Sequence, residues 1–388
     1  MNRTLALRLI LLFGVVSLLA DTTYEGARSV YGPFLATLGA SSLVVGLAAG
    51  GGELVGYALR LVSGLVSDRT RAYWGVTFVG YAVNMLAVPL LALAGRWETA
   101  VGLMLAERAG KAIRTPARDV LLARVAQHTG RGWGFGVHEA LDQIGAVLGP
   151  VVIAGVLATR QDYREGFALL AAPAALTLAV LVVLWRLFPR SEAIRTSPTL
   201  PSGSGLPRGL GAYLVAAAAL GAGFADFPLI AFHLKSARVA PEEAIPLLYA
   251  LGMASDALAA LVLGRLFDQR GLRVLSVAAL IGAGGIPLAF LGNLGAAALG
   301  VVLWGVGLGA QESILRAAIG AMVEPERQGA AYGAFNAAYG VAWFSGSAAM
   351  GALYSVHPLG LVLFGVGAQV IAAGLFWRMR LPARAQGG

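Results

Sequence analysis

Glu107, Lys111, Arg114 and Arg118 recur at i, i+4, i+7 and i+11 within the stretch ERAGKAIRTPARD, residues 107–119. On a helix that spacing draws one charged stripe. Asp21, Glu25 and Arg28, with Tyr24 among them, draw a second stripe at i, i+4 and i+7. The basic groups can hold a carboxylate or phosphate, an arginine as a planar fork and a lysine as a point charge. The acids can carry a proton. Both stripes sit inside apolar runs, and a charge near the centre of a bilayer costs roughly 2.5–3.5 kcal/mol. Such faces must therefore look into protein or a water-filled cavity.

The surrounding chain is built to be that wall. Hydrophobic residues make up 58% of it and charged residues 13%, against about 25% charged in soluble domains, and mean hydropathy is +0.75. Its 388 residues accommodate about twelve spans of roughly 20–25 residues with short loops. The expected fold is an all-α integral membrane protein. Cysteine is absent, which excludes disulfides, thiolate chemistry and Cys-ligated metals. The net charge of +9 comes almost wholly from arginine, with Lys111 and Lys235 the only lysines. The arginines fall between apolar segments, so orientation in a membrane explains them better than nucleic acid does. The first apolar run lacks a small-residue cleavage site and reads as a first membrane helix, about Leu5 to Thr37, rather than a removed signal peptide. Gly32-Pro33 is expected to bend its outer end, and Pro116 is expected to kink the fourth helix.

The only long polar stretch, RSEAIRTSPTLPSGSGLPR at 190–208, has the Ser, Pro and Gly content of a flexible linker. It separates a bundle of six helices, 1–189, from a second at 209–388, whose first helix is expected at about Leu210 to Leu234. The halves repeat. Gly64-x-x-x-Asp68 and Gly264-x-x-x-Asp268 stand 200 positions apart, and Gly132-x-x-Phe135-Gly136 and Gly329-x-x-Tyr332-Gly333 stand 197 apart. Ala20-Asp21 has a weaker echo in Ala225-Asp226. Two pseudo-symmetric six-helix bundles point to a transporter. Arg69, Arg71, Arg124, Arg131, Arg190, Arg208, Arg270, Arg273, Arg327 and Arg378 fall on one side of this topology. Arg96, Arg160, Arg164, Lys235 and Arg238 fall on the other. By the positive-inside rule both termini and the linker are cytoplasmic, in the inner (plasma) membrane.

Gly64, Asp68 and Arg69, repeated as Gly264, Leu266, Asp268, Gly271 and Arg273, resemble the G-x-L-x-D-R-x-G-R-R loop of the major facilitator superfamily. Arg71 stands where that loop has its glycine, and Gln269 where the second copy has its first arginine. Gly136, Gly145, Gly149 and Pro150 are similar to the family's antiporter motif, G-x8-G-x3-G-P, with Ile153-Ala154 in place of its final glycines. The resemblance covers essentially the whole chain and is to bacterial, exporter-like members. It implies alternating access, with the loops of Asp68, Arg69 and Asp268 gating the cytoplasmic side and the Gly145, Gly149, Pro150 motif accompanying export. In the helix 4 motif R-x-x-x-G-x-G, Arg108 precedes Gly110 by two residues and not four, so no proton role passes to Arg108.

The remaining ionisable residues admit several readings. His138 and Asp142, at i and i+4 with Glu139 beside them, could form pairs with Lys111, Arg114 and Arg118, couple protons or substrate, or join Asp21 and Glu25 around a divalent ion. The expected assignments are as follows. Tyr24, Arg28, Lys111, Arg114, Gln311, Glu312, Asn336 and Tyr339 bind substrate. Asp21, Glu25, Asp142 and Asp226 carry protons. Arg118 and Asp119 pair with His138 and Glu139 and, with Arg316, belong to gating. No metal site and no cofactor is expected. The function expected is proton-coupled export of a small anionic or zwitterionic molecule by a monomer in the lipid bilayer. Uptake of a metabolite or metal chelate is the alternative within transport. A receptor or enzyme is disfavoured: the chain has no signalling domain, nucleophile elbow or P-loop.

The orientation can be tested directly because the chain has no cysteine. A cysteine placed at Ser202 should react with a membrane-impermeant maleimide only from the cytoplasmic side; labelling from outside would invert the topology.

Overall fold

Long apolar runs without partners for their backbone can cross a bilayer only as helices, since each peptide group must find its hydrogen bond within the chain. The computed structural model describes residues 3–188, 209–324 and 327–379, and every element among them is helical. The expected linker at 190–208 lies outside the described residues. The first half holds α1 (Arg3–Arg28), α2 (Tyr31–Thr37), α3 (Ser42–Thr70), α4 (Tyr73–Leu90), α5 (Trp97–Ala126), α6 (Arg131–Arg160), α7 (Tyr163–Leu169) and α8 (Ala171–Leu187). The second holds α9 (Leu210–Ala222), α10 (Phe227–Ser236), α11 (Ala244–Arg270), α12 (Arg273–Leu291), α13 (Leu294–Met322), α14 (Gln328–Val356) and α15 (Pro358–Arg378). Among the described residues ten helical spans are long and apolar enough to cross a membrane. Helix α5, with 30 residues, and α14, with 29, match them in length but not in apolarity; with them the expected twelve is reached. Leu61, Val62, Leu86, Leu261 and Leu363 are exposed, as side chains dissolved in lipid must be.

The first and seventh expected helices are each broken. Helix α1 stops at Arg28 and α2 restarts at Tyr31. Pro33 has no N–H to bond the Ser29 carbonyl, so it is accommodated in the first turn of a new helix. The interruption therefore precedes Gly32-Pro33. Between α9 and α10, residues 223–226 leave the helix, ahead of Pro228. The carbonyls freed there are not left bare. Gln369 Nε2 donates to Gly223 O at 3.1 Å and Trp304 Nε1 to Ala225 O at 2.8 Å. In α5, Pro116 stays inside a continuous helix. The Ala112 carbonyl it cannot bond accepts from Ser63 Oγ of α3 at 3.1 Å.

The described residues form two compact units. One comprises 3–41, 51–188 and 231–250; the other comprises 42–50, 209–230, 251–324 and 327–379. The first turns of α3 thus group with the second half, where Ser42 Oγ donates to Gly351 O at 2.9 Å. The end of α10 and the start of α11 group with the first half, where Lys235 Nζ lies 3.4 Å from Tyr163 Oη.

Within each unit, glycines bring helix backbones into contact. A Cβ on Gly149 of α6 would lie 2.7 Å from Gly26 N of α1, and one on Gly145 would lie 3.0 Å from Asp21 Cβ. In the second unit a Cβ on Gly346 would fall on the backbone of Ala222. Gly149 and Gly346 are 197 positions apart and Gly26 and Ala222 are 196 apart, close to the offsets of 197 and 200 that relate the sequence repeats. Both contacts lie beside a helix break. Helices α4 and α5 meet in the same way, through Gly80 and Gly110.

Gly149→Val should lower the melting temperature of the purified protein, by about 1–3 kcal/mol of stability or more. Gly155→Val on the same helix should not, because a Cβ there meets nothing within 4 Å. Equal melting curves for the two variants would contradict the close α1–α6 packing.

Candidate functional site

Three helices of the first unit carry charge at helical spacing on facing sides. Helix α1 supplies Asp21, Tyr24, Glu25 and Arg28; α3 supplies Glu53; α5 supplies Glu107, Arg108, Lys111 and Arg114. Tyr24 is the hub. Its hydroxyl donates to Asp21 Oδ2 at 2.7 Å and accepts from Lys111 Nζ. Lys111 Nζ also lies 3.8 Å from Glu25 Oε1. Glu25 further takes Arg28 Nη1 at 3.1 Å and the hydroxyl of Tyr249, from α11. Arg114 is 1% exposed. Its guanidinium lies 3.9 Å from Asp21 Oδ1 and over the Tyr81 ring, 4.2 Å from the centroid. Enclosure on that scale makes Arg114 inaccessible, whereas the Lys111 side chain keeps 26% exposure.

A second part of the cluster adjoins the first. Glu53 Oε1 receives Arg108 Nη2 at 2.8 Å and Arg28 Nη2 at 3.6 Å. Glu107 is fully buried; Asn84 Nδ2 donates to its Oε1 and to its backbone oxygen, both at 3.0 Å. Asp142 of α6 accepts from Ser17 Oγ of α1. Named together, Asp21, Glu25, Glu53, Glu107 and Asp142 are five carboxylates against the four cations Arg28, Arg108, Lys111 and Arg114. Arg118, whose Nη2 and Nε hold Asp119 Oδ1 at 2.8 and 3.0 Å, is a further cation facing Asp142. Charges this deeply placed are stable only when paired. Among the described residues no group of three or more His, Asp or Glu side chains is arranged to hold a metal ion.

The sequence profile described as Major Facilitator Superfamily matches residues 12–347. The chain belongs to this family. An uncharacterised protein of Mycobacterium tuberculosis is 41% identical over 384 residues, covering 97% of this chain and 94% of that protein. An uncharacterised MFS-type transporter of Methanocaldococcus jannaschii is 33% identical over 138 residues, 36% of this chain and 34% of that one. The fold is similar to the nucleoside transporter NupG, with a TM-score of 0.78 over 95% of this chain and 99% of that chain at 14% identity. It is also similar to a bacterial homologue of the lysosomal transporter Spinster, with a TM-score of 0.75 over 97% of both chains at 16% identity. A POT family transporter gives 0.74 over 95% of each chain at 14% identity. As a member of the Major Facilitator Superfamily this is a membrane transporter and not an enzyme.

The family's motif residues lie apart from the cluster. Asp68 and Arg69 are exposed at the end of α3, with Tyr73 Oη donating to Asp68 Oδ1 at 2.9 Å; Asp268 is exposed near the end of α11. Gly145 and Gly149 are the α1–α6 contact, one turn before and beside Pro150. His138 is 3% exposed with Nε2 unbonded, while Glu139 is exposed. In the second unit Tyr339 Oη donates to Gln311 Oε1 at 2.6 Å, within a wall of Phe335 and Trp343 rings. Asp226 accepts from Trp343 Nε1 at 2.8 Å and from Ser347 Oγ. Asn336 is half-buried; Glu312 and Arg316 are exposed on α13.

Sequence reasoning missed three members of the cluster. Glu53 was visible as the one acid in the middle of the glycine-rich α3. Arg108 lies beside the stripe and reaches Glu53 only because α3 packs against α5. Tyr249 is one of several tyrosines, and nothing in its local spacing marks it.

A separate open pocket of about 500 Å³ is lined by Lys235, Arg238 and residues 239–242. Burial pushes the Glu242 carboxyl up, but the hydrogen bonds of Lys235 and Tyr163 and the Lys235 charge outweigh it and hold it below its usual range.

Arg114→Ala should leave Asp21 uncompensated and lower stability by about 3–5 kcal/mol, read as a loss of melting temperature and of monodisperse yield in detergent. Adding Asp21→Asn should restore part of it. A fully stable Arg114→Ala protein would show that the pair is not structural.

Proposed function

We propose that the protein is a secondary active transporter that exports a small anionic or zwitterionic molecule against proton entry by alternating access. The observation that carries this reading is the buried mixed-charge cluster on α1, α3 and α5. Its carboxylates and cations are interleaved, so a proton or a charged group of the substrate changes which of them remain paired. A carboxylate so placed gains or loses its proton according to how close Lys111 and Arg114 lie, which couples protonation to helix position. Asp21 and Glu25 are the proton carriers, with Asp142 adjoining them on α6. Lys111, with Tyr24 and Arg28, meets the substrate's anionic group. Gln311, Glu312, Asn336 and Tyr339 are the other residues assigned to substrate binding. Asp226, with its two donors, is a carboxylate of the same kind, and Arg118, Asp119, His138, Glu139, Asp68, Arg69, Asp268 and Arg316 serve gating. The Gly145, Gly149, Pro150 motif supports export. The arginine distribution supports an inner-membrane protein with both termini in the cytoplasm, which we read as a monomer. Small polar solutes are what the neighbours' descriptions name: nucleosides for NupG and a conjugated peptide for a POT transporter.

The test begins with a thermal-shift panel of carboxylates, phosphates and amino-acid zwitterions, since a ligand selective for the folded state raises the melting point. The strongest stabiliser is then assayed in vesicles loaded with a pH-sensitive dye. An imposed pH gradient should drive its movement, and Asp21→Asn or Glu25→Gln should abolish that drive while the protein stays folded. Lys111→Ala should weaken its binding by about 1.5–3 kcal/mol, the scale of a charged hydrogen bond. Undiminished gradient-driven flux in the Asp21→Asn, Glu25→Gln double variant would rule out proton coupling at these residues.

A further inference from the structure

Arg28 of α1 and Arg108 of α5 point their guanidinium groups at one oxygen, Glu53 Oε1, at 3.6 and 2.8 Å. Two arginines on one carboxylate oxygen make an anion site, and an arginine fork matches a planar carboxylate. Here the anion is a side chain of the protein. Unlike the enclosed Asp21–Arg114 pair, this group is reachable: the side chains of Arg28, Glu53 and Arg108 keep 20%, 18% and 15% exposure. Glu25 cannot play the same part, because Arg28, Lys111 and Tyr249 all hold it. The backbone around Glu53 is shaped for the arrangement. A Cβ at Gly52 would lie 3.0 Å from Arg108 Cγ, so glycine lets the Arg108 chain lie across α3. At Gly56, one turn on and on the same side as Glu53, a Cβ would meet nothing within 4 Å, which leaves space for the Glu53 side chain to swing aside.

We propose that Arg28 and Arg108 are the anchor for the substrate's carboxylate, and that Glu53 is an internal carboxylate that occupies the anchor until substrate displaces it. The proposal rests on the transporter reading above and gives its substrate a chemical class, a carboxylate. In the empty protein Glu53 is the nearest partner of Arg108 and shares Arg28 with Glu25, so the anchor is not left without an anion. The same pairing sets the affinity: a simple carboxylate must compete with Glu53 and binds weakly, at high concentration, and one with further contacts binds more tightly.

The probe is benzoate, with neutral benzamide and inorganic phosphate as comparisons, measured by calorimetry on the purified full-length chain. Glu53→Gln should bind benzoate about tenfold or more tightly than the parent, the scale of one charge-assisted bond no longer competed for. Glu53→Ala should change affinity in the same direction. Arg108→Gln added to either should return affinity to the parent's level or below, and benzamide should not bind. In the unaltered protein, benzoate should slow modification of Arg108 by phenylglyoxal, followed by mass spectrometry, so the proposal can be tested even if the Glu53 variants fold poorly. The proposal is overturned if folded Glu53 variants bind benzoate no more tightly than the parent. It is overturned equally if benzoate leaves Arg108 unprotected, or if only phosphate shows the effect. These results leave the transporter reading intact when Lys111→Ala still weakens the panel ligand and a pH gradient still drives its flux. That reading fails separately, by loss of both.

Discussion

Placing ions in a membrane interior is tolerable only when each finds a counter-ion or a hydrogen bond, and the first unit is built around that requirement. Its cations and carboxylates cannot be satisfied one at a time. Lys111 serves Tyr24 and Glu25, Arg28 serves Glu25 and Glu53, and Arg108 serves Glu53 and Glu107. The chain of partners crosses from α1 to α3 to α5, so those helices must lie close enough for side chains to span them. Glycines allow this. Gly149 against Gly26 and Gly145 against Asp21 draw α6 onto α1, and Gly80 and Gly110 draw α4 onto α5. Packing and electrostatics are one constraint here: a bulky residue at Gly145 would displace the helix that carries Asp21.

The same accounting governs the backbone. At three places where proline or an interruption frees a carbonyl, a polar side chain from a neighbouring helix takes it up. Ser63 serves Ala112 opposite Pro116, Gln369 serves Gly223, and Trp304 serves Ala225. In lipid no water would substitute. These residues are conspicuous only in three dimensions, since a lone Ser, Gln or Trp on an apolar helix carries no local signal.

That difference marks what was legible in the sequence. The stripes could be read because helical periodicity places i, i+4 and i+7 on one face whatever the tertiary fold. The repeat could be read because Gly64 and Gly264 mark corresponding positions near the ends of α3 and α11, and the structural pairs Gly26–Gly149 and Ala222–Gly346 repeat at a similar offset. The helix interruptions were harder. Pro33 and Pro228 announce a disturbance but not whether the helix bends or stops, and both times it stops ahead of the proline. Partners remote in sequence were not legible. Tyr249 reaches Glu25 across 224 positions, and Arg108 reaches Glu53 only through the packing of α5 on α3. Nor did composition show that the first turns of α3 would group with the second half, which Ser42 and Gly351 bring about.

The glycine contacts also determine which parts can move together. Helices α1 and α6 are locked backbone to backbone, as are α4 and α5, so each pair shifts as a body or not at all. The pairs are joined by the apolar contacts of Phe13 with Trp74 and of Gly134 with Ala126, and by polar ones: Tyr24 with Lys111, Glu25 with Lys111 at 3.8 Å, and Asp21 with Arg114 at 3.9 Å. A unit pair about 4 Å apart attracts by roughly 4 kcal/mol at the effective dielectric of a protein interior. Swinging a two-state equilibrium from one strongly favoured form to the other takes about 5.5 kcal/mol. A single proton on Asp21 or Glu25 removes an attraction of that order between two otherwise rigid pairs, while the contacts inside each pair, being apolar and backbone-deep, are untouched. The arrangement therefore places much of its sensitivity to charge at one seam, α1 against α5.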